Sequence, residues 1–335
     1  MSECERVWLG QAVPERRRLR DTLYEMTRYL GVAVPSQGRV VIKPNFTWPG
    51  WKKGVTTHPE LLAALAEFFV DHGNEVWFVE SDGGMESWKA REAFEGHGLI
   101  KLAKQMGERV KCVALDTVPA TYLSVWCWGK FSRIPIPEIL VDPDVFYVTC
   151  PVLKTHCMTE TSLAFKNQWG CVPDPYRLRF HHVIGKALVE MARRIPIRLV
   201  VVDGLIALDG NGPMFGDPVE LGLLIGARSP GAASRVGCEV MGLKWWRSRV
   251  LRAARKYGLL PDMSNLELSE PIEGWRKRQF RTTRTIPNYA AIAIAYSRVL
   301  TWFFYLSPFR PWIARLKTKL FGANEITRNG QSCPY

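Results

Sequence analysis

Between Cys150 and Gly170 the chain reads CPVLKTHCMTETSLAFKNQWG, a stretch dense in groups that can do chemistry. Lys154 offers a strong cation, and His156 can carry protons near neutrality or bind a metal. Thr159, Glu160, Thr161 and Ser162 add oxygen groups, and Lys166-Asn167 follow Lys154-Thr155 at about three helical turns. On a single helix the two clusters would share one face. Against this stands a plainer account, a solvated lysine pair and a surface histidine, because lysine is mostly exposed.

Other groups carry weaker signals. His181-His182 follow Arg177 and Arg179; together with His156 they are the set that a divalent metal would use, although the spacing is not diagnostic. Adjacent histidines on a regular element cannot both face one ligand. Asp203-Gly204 and the segment Asp209-Gly210-Asn211-Gly212-Pro213 form a glycine-rich loop after a buried strand. Such a backbone can approach a phosphate or carboxylate closely, yet it matches neither a Walker loop nor a dinucleotide fingerprint, and a turn accounts for it as well. Cys150, Cys157 and Cys171 fit neither a zinc knuckle nor a ferredoxin run, so an iron–sulfur cluster is not expected.

These residues need elements to hold them. Arg39–Pro44, Glu75–Glu80, Arg109–Asp116, Val145–Cys150 and Arg198–Asp203 read as short strands, the last apolar until its final acid. Helices are expected at Pro59–Val70, Lys89–Glu95, Gly98–Met106, His182–Arg194 and Pro230–Met241. Strands separated by helices imply an α/β fold, a mostly parallel sheet with helices on both faces. Ligands in such sheets bind beyond the carboxyl ends of strands. Four of these ends carry suggestive groups: Lys43-Pro44-Asn45, Glu80-Ser81-Asp82, Cys150 into Lys154 and His156, and Asp203-Gly204.

In combination, the pieces resemble the family called domain of unknown function 362. They are VVIKPN at 40–45, TTHPELLAAL at 56–65, DVFYVTCPVLKTH at 144–156, LAFKNQWGCVPD at 163–174, FHH at 180–182, VVDGLIALDGNGP at 201–213 and VMGL at 240–243. The resemblance implies an enzyme-like α/β domain, tied in many relatives to iron–sulfur or anaerobic metabolism, without naming a reaction. Two departures stand out. Many relatives carry a ferredoxin module with clustered cysteines, absent here, and relatives commonly place aspartates where this chain has Ser229 to Ser234.

The formal net charge of +13 suggests nucleic acid until its distribution is examined. Residues 244–319 hold 16 Lys and Arg against four acids, so residues 1–243 are nearly balanced. No nucleic-acid motif accompanies the charge, and nucleic acid is not an expected partner. The chain therefore divides into an α/β catalytic-type domain, 1–243, and a basic, aromatic-rich helical appendage, 244–335. Lys244–Tyr257 reads as a basic amphipathic helix, and so does Trp312–Phe321. Ile286–Leu306 is apolar except for Arg298, which favours lying on an anionic membrane surface over crossing it. A helical cap packing its aromatics on the domain, with a solvated basic face, is the plainer reading and stands ahead of the membrane surface. The N-terminus has no apolar run of signal-peptide length, so a cytoplasmic address, peripheral at the inner membrane face, is expected.

The sequence thus points to an enzyme acting on a small anionic substrate, a carboxylate or phosphate compound. Lys154, His156 and Lys166 are the expected catalytic groups, by acid–base or metal-assisted chemistry with an unknown cofactor. Lys43, Asn45, Asn167, Asp203 and Asn211 are expected to bind the substrate, and His156, His181 and His182 any metal. The rival is a non-catalytic membrane-associated scaffold that binds an anion or lipid headgroup.

Overall fold

The computed structural model describes residues 4–127, 130–309 and 312. Strand β1 (Glu5–Gln11) leads into α1 (Arg16–Leu30), which presents Leu19, Leu23, Met26 and Leu30 to the core and ends at Gly31 in the left-handed conformation. The βαβ pattern then runs β2 (Gly38–Pro44), α2 (Pro59–Asp71), β3 (Asn74–Glu80), α3 (Ala90–Gly96), α4 (Leu99–Met106) and β4 (Val110–Ala114). A two-stranded hairpin, β5 (Ala120–Cys127) and β6 (Lys130–Pro137), follows. Next come β7 (Val145–Cys150), β8 (Val152–His156), β9 (Glu160–Ser162), the single turn α5 (Ala164–Asn167) and α6 (Ile184–Arg194). The domain closes with β10 (Ile197–Asp209), β11 (Asp217–Ala227) and α7 (Pro230–Val240). The basic segment contributes α8 (Arg249–Lys256), β12 (Leu266–Leu268), α9 (Ile286–Tyr296) and α10 (Arg298–Thr301).

The main sheet runs β12-β1-β11-β10-β7-β2-β3-β4, with β8 and β9 attached through β10. The pairs from β10 through β4 are parallel, and β11 pairs antiparallel with both β10 and β1. Alternate residues of the buried strands enter two cores. Leu199 and Val201 of β10 join Val40 and Ile42 of β2 under α1–α4, whereas Val200, Val202 and Val41 face α6, α7 and α8. Each fully buried Leu or Phe of these layers contributes about 1.5–3 kcal/mol.

The winding direction changes at β2. From β2 the chain runs outward through β3 to β4 with α2–α4 on one face; it returns to pair β7 with the other side of β2 and continues to β10 with α5 and α6 on the opposite face. The carboxyl ends of β2 and β7 therefore flank a topological switch point, the place where such sheets leave a crevice.

Four expectations need correction. Lys154-Thr155-His156 does not share a helix with Lys166-Asn167: it forms β8, folded back on β9 with Lys154 opposite Ser162 and His156 opposite Glu160. Pro151 ends β7, and the branched threonines favour a strand. The strand expected to stop at Asp203 runs on to Asp209 through a register shift at Gly204, pairing first with β7 and then with β8. Residues 177–183 form 3₁₀ turns, so α6 starts at Ile184 rather than at His182. Finally, the helix expected at Lys244–Tyr257 and the apolar run Ile286–Leu306 are both broken. Ser248 interrupts the first and caps α8; Ser297 interrupts the second, its hydroxyl accepting from the Leu300 N–H. Among the described residues no helix is long and apolar enough to cross a membrane. Of the helix expected at 312–321, all but Trp312 lies outside the described residues.

Candidate functional site

The ends of β2 and β3 build the floor of a cavity of about 90 Å³. Lys43 and Glu80, one from each strand, form a buried ion pair at 2.7 Å, and Lys43 also donates to Pro44 O at 2.7 Å. Burial raises the Glu80 carboxyl above its usual range, against the lowering pull of Lys43. Gly170 passes directly over this pair: a Cβ there would lie 2.9 Å from Lys43 Nζ and 3.0 Å from a Glu80 oxygen.

Lys154 lies beneath the floor with its three donors taken. Its ammonium bonds Asn45 Oδ1 at 2.5 Å, Val55 O at 2.6 Å and Thr47 Oγ1 at 2.9 Å. All three acceptors are neutral, and Lys154 is fully buried. Desolvation, reinforced by the Lys166 and Lys43 cations, holds its pKa well below the usual lysine value. Contrary to expectation, it is not free to grip an anion; it holds Asn45 in place. Asn45 Nδ2 in turn donates to Asn167 Oδ1 at 2.9 Å, and Asn167 Nδ2 donates to Thr149 Oγ1 at 2.9 Å.

Lys166 differs from the other two lysines. It lines the cavity, and its ammonium has no hydrogen-bond or ion-pair partner among the described residues. Burial, reinforced by the like charge of Arg177, lowers its pKa to about 7. Arg177 also lines the cavity, and its bonds go to Ser81 Oγ and the carbonyls of Val172, Asp174 and Asp82, at 2.9–3.3 Å. No carboxylate of the described residues pairs with it. His156 completes this wall. Its Nδ1 accepts the Met158 N–H at 3.1 Å, which assigns the ring proton to Nε2 in the neutral imidazole. Desolvation and the neighbouring Lys166 and Lys154 cations keep the ring well below the usual histidine pKa. Phe46, Trp88, Trp169 and Met214 supply apolar walls, and the indole N–H of Trp169 is buried without a partner in the described residues.

The structure thus gathers Lys43, Asn45, His156, Lys166 and Asn167 around one cavity, with Lys154 just behind. The other expected residues lie elsewhere. Asp203 is buried in β10 beside the start of α2; its oxygens accept the N–H of His58, the residue that caps α2, at 2.7 Å and that of Leu205 in its own strand at 3.0 Å. Burial without a cation raises its carboxyl to about 6. Asn211 does not line the cavity either; its neighbours Pro213 and Met214 do, because the glycine loop folds back onto β8 through the Cys157 N–H to Gly212 O bond at 2.8 Å. The metal set does not assemble. His181 stacks edge-on against Trp169 at 5.3 Å, and His182 turns Nδ1 toward Arg179 O at 2.9 Å, leaving His156 alone on the cavity. Among the described residues no three His, Cys, Asp or Glu groups are placed to hold a metal ion.

Two charged residues of the cavity had no assigned role in the sequence, Glu80 and Arg177. Both were visible by type, Glu80 at a strand end and Arg177 beside the histidines, but neither shows in sequence which charge it would meet.

Fold and site together define a doubly wound α/β domain with a cation-lined cavity at its switch point. Residues 40–239 match the family described as domain of unknown function (DUF362), and the chain belongs to that family. It is similar to a protein of Synechocystis sp. named as thylakoid-associated, with 29% identity over 275 residues that cover 76% of this chain and 81% of the relative. A solved structure from Thermotoga maritima aligns with a TM-score of 0.42 and 13% identity, over 69% of this chain and 60% of that one. The chain therefore spans less than two-thirds of that protein's length.

Proposed function

We propose that this chain is an enzyme acting on a small carboxylate or phosphate compound by acid–base chemistry. One observation carries the reading: of the three lysines at the switch point, Lys166 alone is left without a partner among the described residues, and it faces the same cavity as Arg177 and His156. Two cationic groups that form no ion pair among the described residues, in a mostly desolvated cleft, attract an anion. His156, neutral with its proton on Nε2, is suited to give that proton to a substrate oxygen, and Lys166, with a pKa of about 7, can exchange one at neutral pH. Asn45, Asn167 and Lys154 fix the geometry of the floor.

Calorimetric titration of the full chain with sulfate tests the binding half. Wild type binds, and Lys166→Met binds more weakly by on the order of tenfold or more. Turnover, sought among short carboxylates and phosphate esters, falls by on the order of a hundredfold in His156→Ala. If binding survives Lys166→Met and turnover survives His156→Ala, the centre lies elsewhere.

A second reading has its own support and concerns place. Along α9, α10 and the turn after them, Ile286, Tyr289, Val299, Trp302, Phe303 and Phe309 are exposed, Ile286 to 86%. They belong to the strongly basic third of the chain, and apolar side chains beside Arg suit the headgroup layer of an anionic membrane. The relative named as thylakoid-associated agrees with peripheral binding. Flotation with vesicles containing phosphatidylglycerol carries the wild type upward, and the Trp302→Ser/Phe303→Ser variant stays behind. Equal flotation of both, or of neither, removes this reading.

A further inference from the structure

We propose that Lys166 is a carbonyl-condensing amine, and that the cavity takes a 2-oxo carboxylate whose carboxylate pairs with Arg177 while its carbonyl meets the lysine. This rests on the anion-binding reading above and goes further, because it names the substrate class and the bond that forms.

Three features of the site converge on it. The first is the state of the three lysines. Lys43 is tied to Glu80 and Lys154 to three neutral acceptors, so neither amine is free to attack. Lys166 has no partner in the described residues and lines the cavity. The second is Arg177. Its guanidinium is held in place by one hydroxyl and three carbonyls and forms no ion pair among the described residues, Glu80 and Asp116 acting on it only from beyond ion-pair distance, so it can pair with a planar carboxylate. The third is size and wall chemistry. About 90 Å³ holds a compound of three or four carbons, and Phe46, Trp88, Trp169 and Met214 limit the water that would reverse the condensation.

The step balances without an oxidant or reductant. The Lys166 Nζ lone pair adds to the carbonyl carbon, and the carbonyl oxygen takes a proton, for which the His156 Nε2–H is the nearby source. The adduct nitrogen returns one proton to the imidazole and gives its other to the departing hydroxyl, which leaves as water, and a carbon–nitrogen double bond remains. Burial supports the chemistry. At pH 7 an ordinary lysine, with a pKa of about 10.4, is free amine in fewer than about one molecule in a thousand. Lys166, brought down to about 7 by desolvation and Arg177, is free in about half, with Cys157 pulling weakly the other way.

The test is reductive trapping on the full chain at pH 7, with pyruvate as probe and cyanoborohydride as reductant, followed by peptide mass mapping. The expected result is one reduced pyruvate adduct at Lys166, formed faster than at the exposed Lys101 by on the order of a hundredfold. Lys166→Arg keeps the cation and loses the adduct. Sulfate added in excess slows trapping at Lys166 but not at Lys101. Labelling at Lys166 no faster than at Lys101 overturns the proposal. Sulfate titration of the same protein separates the two failures: binding without trapping sinks the condensation alone, and no binding sinks the anion site with it.

Discussion

The side-chain amide of Asn45 donates from Nδ2 to Oδ1 of Asn167 at 2.9 Å, joining the end of β2 to the end of α5 across 122 residues. Each partner is tied again, Asn45 to the Lys154 ammonium and Asn167 to Thr149 and to the Lys43 carbonyl. One pair therefore links β2, β7, β8 and α5. Asn45→Ala leaves a Lys154 donor and the Asn167 carbonyl buried without partners. Unfolding in urea is expected to show a loss of about 2–4 kcal/mol, and a cycle with Asn167→Ala a coupling of about 0.5–3 kcal/mol. Strict additivity would mean that the pair does not hold the floor.

Glu80→Gln removes the carboxylate that, among the described residues, pairs with buried Lys43. An unpaired interior charge costs about 3–5 kcal/mol, whereas replacing both partners, as in Lys43→Met/Glu80→Leu, recovers most of that. Urea midpoints of the three proteins check the order. A double variant less stable than Glu80→Gln would contradict it.

Sulfate affinity is expected to fall as pH rises from 6 to 8, because Lys166 loses its proton near 7 while sulfate keeps its charge. Lys166→Arg flattens this dependence. The same group links to stability. Folded Lys166 releases its proton near 7 and the unfolded chain near 10.4, so between those values the unfolded state binds more protons and stability rises with pH. The comparison of wild type with Lys166→Met, by thermal unfolding from pH 7 to 10, isolates the contribution. A difference that does not change with pH would place the Lys166 pKa at its ordinary value.

Asp203 gives a contrasting outcome. Asp203→Ala strands the buried N–H groups of His58 and Leu205 and is expected to cost about 2–4 kcal/mol, measured in urea. Sulfate affinity of the folded variant stays within about twofold, since Asp203 does not touch the cavity. A large affinity loss would return Asp203 to the site.

How far the sequence reaches can be judged from single residues. Lys43, Asn45 and His156 were legible because strand ends in a parallel sheet converge, and the βαβ alternation fixes which ends those are. The fate of Lys154 was not. Two of its acceptors, Thr47 and Val55, come from a loop with no periodicity to read. The β8–β9 hairpin was hidden for a related reason: it has three paired positions, and Glu160 at its turn adopts φ +67°, which its residue type does not announce. Asp203 misled because an acid after an apolar run looks the same whether it meets a ligand or the N–H groups of a helix cap and of its own strand. Helix α1 was not among the helices expected from the sequence: its apolar stripe Leu19, Leu23, Met26 and Leu30 follows and is interrupted by arginines.

The basic segment also grips the outside of the hairpin that carries His156. Arg284 donates to the Cys157 carbonyl at 2.6 Å and pairs with Glu160, and the Tyr296 hydroxyl of α9 donates to the Met158 carbonyl at 3.3 Å. The Cys157 carbonyl and the Met158 N–H belong to one peptide group, and that N–H fixes the His156 ring. One amide thus has the imidazole on its nitrogen side and Arg284, just ahead of α9, on its oxygen side. On the two readings proposed above, the surface that α9 would touch and the proton of the histidine are joined through a single shared peptide plane.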